Sequence, residues 1–330
     1  MTGAAPADLA GEHVIVVDLG YGDGGKGTVV DWLCSSSAGS PSRRTPAVVR
    51  FNGGAQAAHN VVLPDGRHHT FAQFGAGMFT PGVLTHLSRF VLVDPLALAA
   101  EAAHLASAGV PAVLDRLTVD SDALLTTPYH RAANRARERA RGAGRHGTCG
   151  MGIGETASYA LEFPADAPRA GDCAAPSQLG RKLRLLRDWL HAEFGADTCD
   201  SVPPIEDIGL AFGAFAERLR LVGDGYLTGL MRSRPVVFEG AQGVLLDEWH
   251  GFHPYTTWST TTFGNADALL AEAGQTATRL GVLRCYLTRH GPGPLVTEDP
   301  TLELPDRFNR RNEWQGRFRT GHFDAVAVRY

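Results

Sequence analysis

The chain has 330 residues, 44% of them hydrophobic, and a formal net charge of -4 at pH 7. This size allows one large α/β domain or two smaller ones, and the charge offers no basic surface for a nucleic acid. The sequence has neither the long apolar run of a membrane helix nor the basic and apolar start of a secretory signal. Five cysteines without a C-x-x-C pair favour reduced thiols, so we expect a cytoplasmic protein.

Apolar runs recur along the chain with the lengths of buried strands and amphipathic helices. Strands are predicted over residues 13–19, 47–51, 89–93, 235–238 and 281–287. Helices are predicted to start near Thr28 and to cover residues 96–108, 132–141 and 177–194. This alternation predicts an α/β fold of three layers, with helices covering a mostly parallel sheet. We expect one domain over residues 1–330, with a flexible leader at 1–12 and a loop or small excursion at 164–176.

A glycine-rich segment, GYGDGGKGT at residues 20–28, separates the first predicted strand from the first predicted helix. Glycines let backbone amides approach phosphate oxygens, and the start of a helix favours negative charge. Lys26 and Lys182 are the only lysines of the chain, and this rarity favours a functional role for the lysine inside this loop. The segment therefore predicts a phosphate site and a P-loop-NTPase-like fold, although a tight turn with incidental glycines is the alternative.

One position of this loop departs from the usual phosphate-binding pattern. The residue after the lysine is normally Ser or Thr, whose hydroxyl holds Mg²⁺, but here it is Gly27. Another oxygen must then hold the metal, and the carboxylate of Asp23 is the obvious candidate. The alternative for Asp23 is that it only caps the loop.

Six motifs in order resemble those of the adenylosuccinate synthetase family. They are GYGDGGKGTVVDWL from residue 20, VRFNGGAQAAHNVV at 49–62, HGTCGMGIG at 146–154, FEGAQGVLLDEWHGFHPYTT at 238–257, LTRHGPGPLVTE at 287–298 and GRFRTGHFD at 316–324. The resemblance implies a two-step reaction. The γ-phosphate of GTP moves to the 6-oxygen of IMP, and the amine of aspartate then displaces that phosphate.

The resemblance assigns catalytic roles to three residues. Asp23 would remove the proton from the ring nitrogen beside the 6-oxygen, and would also hold Mg²⁺. His59 and Lys26 would balance the charge of the transferring phosphoryl group. A hydrogen-bonded structural histidine is the alternative for His59.

The resemblance also implies binding residues. Those for the nucleoside triphosphate (GTP or ATP) are Gly22, Gly24, Gly25, Lys26, Gly27, Thr28 and Arg289. Those for the IMP-like nucleotide and L-aspartate are Gln56, Thr148, Cys149, Arg169, Gln242, Thr257, Gln315, Arg317 and Arg319. The backbone carbonyl of Ala58 would assist Asp23 at the metal. Arg169 would reach the partner's site in a homodimer, whereas Arg317 and Arg319 suit the carboxylates of aspartate unless they are solvated surface charges.

The sequence departs from the family pattern mainly around the acceptor and amine sites. Gly24 replaces a usual glutamate, Gln56 an asparagine and Ala58 a glycine, while Cys149 and Met151 replace a threonine and an arginine. Trp314 and Gln315 stand at a usual Thr-Thr pair.

The family's T/N-K-x-D element, which reads guanine, does not occur in the 330 residues, and this leaves GTP and ATP open. Retention of Asp23 favours IMP as acceptor, with dGMP or a modified purine as alternatives. A nucleotide-binding switch and an inactive paralogue are the alternatives to a ligase.

Overall fold

The computed structural model describes residues 12–38, 44–304, 306–309 and 313–330. The leader predicted at residues 1–12 lies outside these ranges, apart from Glu12. The strands are β1 (Val14–Asp18), β2 (Ala47–Arg50), β3 (His59–Val62), β4 (His68–Phe71), β5 (Leu84–Leu87), β6 (Leu92–Val93), β7 (Leu117–Asp120), β8 (Leu124–Leu125), β9 (Arg220–Val222), β10 (Val236–Glu239), β11 (Thr278–Val282), β12 (Tyr286–His290) and β13 (Phe318–His322). The helices are α1 (Lys26–Ala38), α2 (Pro95–Ser107), α3 (Pro128–Ala140), α4 (Ile153–Glu162), α5 (Pro176–Phe194), α6 (Ala196–Asp200), α7 (Ile205–Arg218), α8 (Tyr226–Ser233), α9 (Gly264–Ala273) and α10 (Ala325–Arg329).

Seven strands form the central sheet in the order β11-β1-β10-β2-β5-β7-β9. Every neighbouring pair in it is parallel. Strand β1 lies inside the sheet, where Ile15 is opposite Phe238 of β10 and Arg279 of β11. The carboxyl ends of β1, β2 and β10 therefore meet at one edge, which is where ligands bind in open α/β sheets.

The sheet separates two hydrophobic cores, because successive side chains of a strand point to opposite faces. On one face, Val14 and Val16 pack in a core that includes α1, α2, α5 and α7. On the other face, Ile15 and Val17 pack in a core that includes α8 and α9. The predicted three-layer α/β fold with a parallel sheet is thus confirmed.

Two of the predicted strands need correction. The segment 89–93 contributes only β6, which pairs with β8 outside the central sheet. The sheet position belongs to β5, whose sequence LTHL looks too polar for a buried strand. Its Thr85 and His86 are nevertheless buried, and His86 Nδ1 lies 3.0 Å from Thr118 Oγ1 of β7. A neighbouring strand thus satisfies a polar group that the apolar pattern could not anticipate.

The strand predicted at residues 281–287 is two strands. Strand β11 ends at Val282 in the central sheet, whereas β12 begins at Tyr286 and pairs with β13 in an antiparallel hairpin. The segment 164–176 contains a 3₁₀ helix, Ala170–Ala174, in which Ala170 and Cys173 are buried. Within the described ranges, no helix has the length and apolar character needed to cross a membrane.

Candidate active site

The glycine loop joins β1 to α1, as the sequence predicts. Lys26 is the first residue of α1 and is 2% exposed. Its ammonium donates to the carbonyls of Gly22 and Gln242, both at 2.7 Å. Gln242 has a left-handed backbone at φ 63°, which is a costly conformation for a residue other than glycine and is typical of functional sites. The lysine therefore ties the loop after β1 to the loop after β10.

A cleft of about 350 Å³ opens at this edge of the sheet. Its walls come from the loops after β1, β2 and β10, from the segment before α4, and from the β12–β13 hairpin. This volume lies within the usual range for small-molecule sites.

Several buried polar atoms of the cleft accept or donate no hydrogen bond within the described part of the chain. They are Asp23 Oδ2, Gln242 Oε1, His290 Nδ1 and both amide atoms of Gln56. Buried polar groups are rarely left without partners, so their convergence in one cavity indicates a polar ligand.

His59, the first residue of β3, is held by a carboxylate from β10 of the central sheet. Its Nδ1 lies 2.5 Å from Oε1 of Glu239, and Oε2 of Glu239 accepts from the amide of Ala76 at 2.9 Å. Burial lowers the pKa of His59 to about 4, although the hydrogen bond to Glu239 acts in the opposite direction. The neutral ring then carries its proton on Nδ1 and leaves Nε2 for another group.

Glu239 remains ionised in a fully buried position. Burial raises its pKa, but the charge of Arg50 and the hydrogen bond from His59 outweigh burial and hold the pKa below its usual range. Arg50 is itself 1% exposed and donates to the carbonyl of Phe74 at 3.2 Å. The imidazole is therefore fixed by a buried ionic network.

Asp23 combines burial with an unused oxygen. Burial raises the pKa of its carboxyl, while the nearby charges of His290 and Lys26 lower it. Oδ2 lies 3.4 Å from Nε2 of His290. A carboxylate of raised pKa whose oxygen faces a cleft has the properties of a general base.

The opposite wall of the cleft carries neutral polar groups. Gln242 Nε2 donates to Thr257 Oγ1 at 2.6 Å, and Asn134 Nδ2 donates to Thr148 Oγ1 at 2.9 Å. Burial raises the pKa of Cys149 to about 11, so its thiol is uncharged at neutral pH. This wall can form hydrogen bonds, but it lacks the buried ionic network that surrounds His59.

Comparisons with known proteins decide the family. The model of the family described as adenylosuccinate synthetase matches residues 15–330. The chain belongs to the adenylosuccinate synthetase family. The adenylosuccinate synthetases of Marinomonas sp. (strain MWYL1) and Xanthomonas campestris pv. campestris (strain B100) are each 36% identical to 97% of the chain, which covers 73% and 74% of their respective lengths.

Two solved structures share the fold. The fully ligated adenylosuccinate synthetase of Plasmodium falciparum superposes with a TM-score of 0.77 at 23% identity, covering 96% of this chain and 73% of that one. The succinoaminodeoxyadenylate synthetase of cyanophage S-2L, bound to dGMP and to dATP as an energy donor, gives 0.66 at 20% identity, covering 96% of this chain and 80% of that one.

Most of the site residues predicted from the sequence lie at the cleft. Those that line it are Gly22, Asp23, Gln56, Ala58, His59, Thr148, Cys149, Gln242, Thr257, Arg289 and Gln315. Gly24, Gly25, Lys26, Gly27 and Thr28 form the end of the loop and the first turn of α1, directly beside it.

Three predicted arginines lie outside the lining of the cleft. Arg169 Nη1 donates to the carbonyl of Asp122 at 2.6 Å. Arg319 donates to Glu298 and to the carbonyls of Gly291 and Gly293, whereas Arg317 is exposed. Arg289, by contrast, is buried with its guanidinium 4.5 Å from the ring centre of Tyr21 and donates to three carbonyls.

Sequence reasoning missed Glu239, His290 and Asp18. Glu239 and His290 stand inside quoted motifs. Glu239 ends β10 at the ligand-binding edge of the central sheet, whereas His290 ends β12 of the antiparallel hairpin. A polar residue directly after an apolar run was the signal that could have identified Glu239, and also Asp18, which ends β1.

The cleft fits a magnesium ion held mainly by its substrates. The described residues contain no group of three or more His, Cys, Asp or Glu side chains that could hold a metal. Mg²⁺ commonly binds one or two carboxylates together with phosphate oxygens and waters. Oδ2 of Asp23, which makes no hydrogen bond to any described residue and lies at the glycine loop, suits that arrangement.

Proposed function

We propose that the chain is an NTP-dependent carbon–nitrogen ligase that joins L-aspartate to the 6-position of a 6-oxopurine nucleotide. IMP is the favoured acceptor, with dGMP or a modified purine nucleotide as alternatives. One observation carries this proposal: the carboxylate of Asp23, whose Oδ2 makes no hydrogen bond within the described ranges and lies 3.4 Å from Nε2 of His290, shares a cleft with His59 directly beside the loop of Lys26. A base, a phosphoryl-stabilising histidine and a phosphate loop are the groups that the first step requires.

In the first step, Asp23 accepts the proton from the ring nitrogen beside the 6-oxygen. That oxygen attacks the γ-phosphorus of the triphosphate, the bond to the bridging oxygen breaks, and the nucleoside diphosphate leaves. Lys26 and the free Nε2 of His59 face the charge that develops on the phosphoryl group. A nearby phosphoryl anion favours the protonated imidazole, which can then donate to it.

In the second step, the amine of aspartate attacks the carbon that carries the phosphorylated oxygen. The carbon–oxygen bond breaks, phosphate leaves with the former 6-oxygen, and the attacking nitrogen releases one proton to the solvent or to the departing phosphate. Arg319 lies in β13, and Arg317 directly precedes that strand. These two arginines are the candidates for binding the two carboxylates of aspartate, together with Gln315, which lines the cleft. Guanidinium groups suit this role because their paired donors match a carboxylate.

The remaining polar groups would bind the two nucleotides. We assign Gln56, Thr148, Cys149, Gln242 and Thr257 to the acceptor nucleotide, because their polar groups line the cleft. The loop, the first turn of α1 and Arg289 are assigned to GTP or ATP. Asp23 and the carbonyl of Ala58 would hold Mg²⁺, which neutralises phosphate charge when bound.

Arg169 has a separate place in this scheme. It lies outside the cleft of its own chain and is only partly buried. We assign it to the acceptor phosphate in the site of a second copy, which makes the active unit a homodimer.

Product formation tests the proposal directly. The chain is incubated with aspartate, Mg²⁺, each of IMP and dGMP, and each of GTP and ATP, and the nucleotides are separated and weighed by mass spectrometry. We expect a succinylamino nucleotide in at least one combination, with one nucleoside diphosphate formed per product molecule. No succinylamino nucleotide should form without aspartate. Triphosphate binding without product in any combination would contradict the ligase and favour a nucleotide-binding switch.

A further inference from the structure

An acidic residue just before the glycine loop has no part in the proposed chemistry. Asp18 is the last residue of β1 and is 2% exposed. Its Oδ1 accepts from the amides of Gly20 at 2.8 Å and Gly22 at 3.2 Å, and its Oδ2 accepts from the amide of Gly24. A single carboxylate therefore engages three alternate amides of the loop.

These contacts enclose Asp23 on both sides. Gly22 precedes it and Gly24 follows it, so Asp18 holds the peptide on each side of the proposed base. The carbonyl of Asp23 accepts from Nε of Arg284, which restrains it from another direction. Hydrogen bonds to an ionised carboxylate are among the stronger ones in proteins, so the backbone that carries Asp23 is well fixed.

Gly24 and Asp18 fit each other sterically. A Cβ atom at residue 24 would overlap Oδ2 of Asp18 and would lie 3.1 Å from both its Cγ and the carbonyl oxygen of Val282. The backbone of Gly24 does not have the left-handed φ that would itself require glycine. The contact with Asp18 is therefore the main reason that residue 24 has no side chain.

Asp18 also lies close to the loop lysine. Its Oδ2 is 3.5 Å from Nζ of Lys26, so a buried negative charge faces a buried positive one. The amides of the first turn of α1 are not among its partners and stay available to phosphate. The loop thus divides its donors between an internal carboxylate and the start of the helix.

The geometry points to Asp18 as a positioning residue: it holds the glycine loop so that the carboxyl of Asp23 faces the acceptor base, and it leaves phosphate binding to the first turn of α1. This inference rests on the proposed function, since it supplies a role for Asp18 in the first chemical step. The competing interpretation is that Asp18 occupies donors that phosphate needs and so weakens triphosphate binding.

Asp18→Asn and Asp18→Ala separate the two interpretations. We expect kcat to fall about 10–100-fold while the Kd of Mg²⁺–GTP or Mg²⁺–ATP, measured by calorimetry, changes less than about threefold. Asp31→Asn, which removes the same charge from the side of α1, is the matched control and should keep kcat. A kcat within about twofold of wild type, or triphosphate binding that tightens about tenfold, would overturn the positioning role.

A stability cycle tests the contact without any turnover. Gly24→Ala should lower Tm by roughly 2–5 °C in the wild-type chain, and by clearly less in the Asp18→Ala background. Equal shifts in both backgrounds would show that Asp18 and Gly24 are not coupled and would overturn the inference. If the wild-type chain makes no product, the proposed ligase fails, whereas the cycle and the Kd still decide whether Asp18 holds the loop.

Discussion

The two sides of the cleft are built differently. On the phosphoryl side, Lys26, His59 and Glu239 are buried. The ammonium of Lys26 donates to the carbonyl of Gln242, and the ring of His59 is hydrogen-bonded to the carboxylate of Glu239. On the acceptor side, Thr148 and Thr257 make neutral hydrogen bonds, and the β12–β13 hairpin places Arg317 in solvent. The difference suggests a fixed centre for phosphoryl transfer beside a wall that can change with the acceptor and the amine.

The departures at Cys149, Met151, Trp314 and Gln315 fall on the acceptor side, whereas those at Gly24 and Ala58 lie on the phosphoryl side. Trp314 packs against Gly150, where a Cβ would lie 2.8 Å from its Cγ, and Arg135 lies 5.5 Å from its ring centre. A tryptophan thus joins the loop before α4 to the loop before β13. Variants on the phosphoryl side should therefore reduce kcat, and variants on the acceptor side should mainly raise KM.

The largest effect is expected from Asp23→Asn. The amide cannot accept the ring proton, so we expect kcat to fall about 10²–10⁴-fold with the fold unchanged, measured by product formation and by Tm. Near-normal turnover would show that the base lies elsewhere.

Glu239→Gln should have the next largest effect. Glutamine keeps the shape of the glutamate side chain and one of its two acceptor oxygens, but it lacks the negative charge that orients His59. We expect kcat to fall roughly 10–100-fold, with the Kd of the triphosphate little changed. Steady-state kinetics and calorimetry measure the two quantities, and an unchanged kcat would mean that the network is only structural.

Arg317→Lys tests the acceptor side. Lysine keeps the charge but not the paired donors, so we expect KM for aspartate to rise about tenfold while kcat stays within about threefold. Arg329→Lys, at the exposed end of α10, is the matched control. A fall in kcat without a change in KM would place Arg317 in the chemistry instead.

The smallest effect concerns stability and pH. Burial raises the pKa of Asp31 to about 6 from an ordinary value of 3.8. The folded chain therefore keeps this proton longer than the unfolded chain, and stability is lost as pH rises through about 6. Asp31→Asn removes that loss. The Tm of the variant should therefore exceed that of the wild-type chain above about pH 6, and the difference should vanish near pH 4, as thermal melts at several pH values would show. An advantage that is independent of pH would contradict the assignment.

The sequence predicted what short-range patterns encode. Strand β1, the glycine loop and α1 follow from an apolar run, glycines and a helix start. Many of the predicted site residues reached the cleft because they lie in the loops that follow β1, β2 and β10 at one edge of the parallel sheet.

What the sequence did not reveal depends on tertiary contacts. Strand β5 carries Thr85 and His86 in the core, where Thr85 Oγ1 accepts from the amide of Gly75 and His86 Nδ1 lies beside Oγ1 of Thr118 on the adjacent strand. The role of Asp18 depends on how the loop folds back on it, and that of Glu239 on its distance to His59, 180 residues away in the chain. Such pairings are set by the fold and not by spacing along the sequence.

The fate of one oxygen atom tests the central claim most directly. The acceptor nucleotide is prepared with ¹⁸O at position 6 and converted with unlabelled triphosphate, aspartate and Mg²⁺, and the released phosphate is analysed by mass spectrometry. Phosphoryl transfer to the 6-oxygen predicts that each phosphate formed with product carries the label. Product formed with unlabelled phosphate would contradict the account, because the 6-oxygen would then never have received the phosphoryl group.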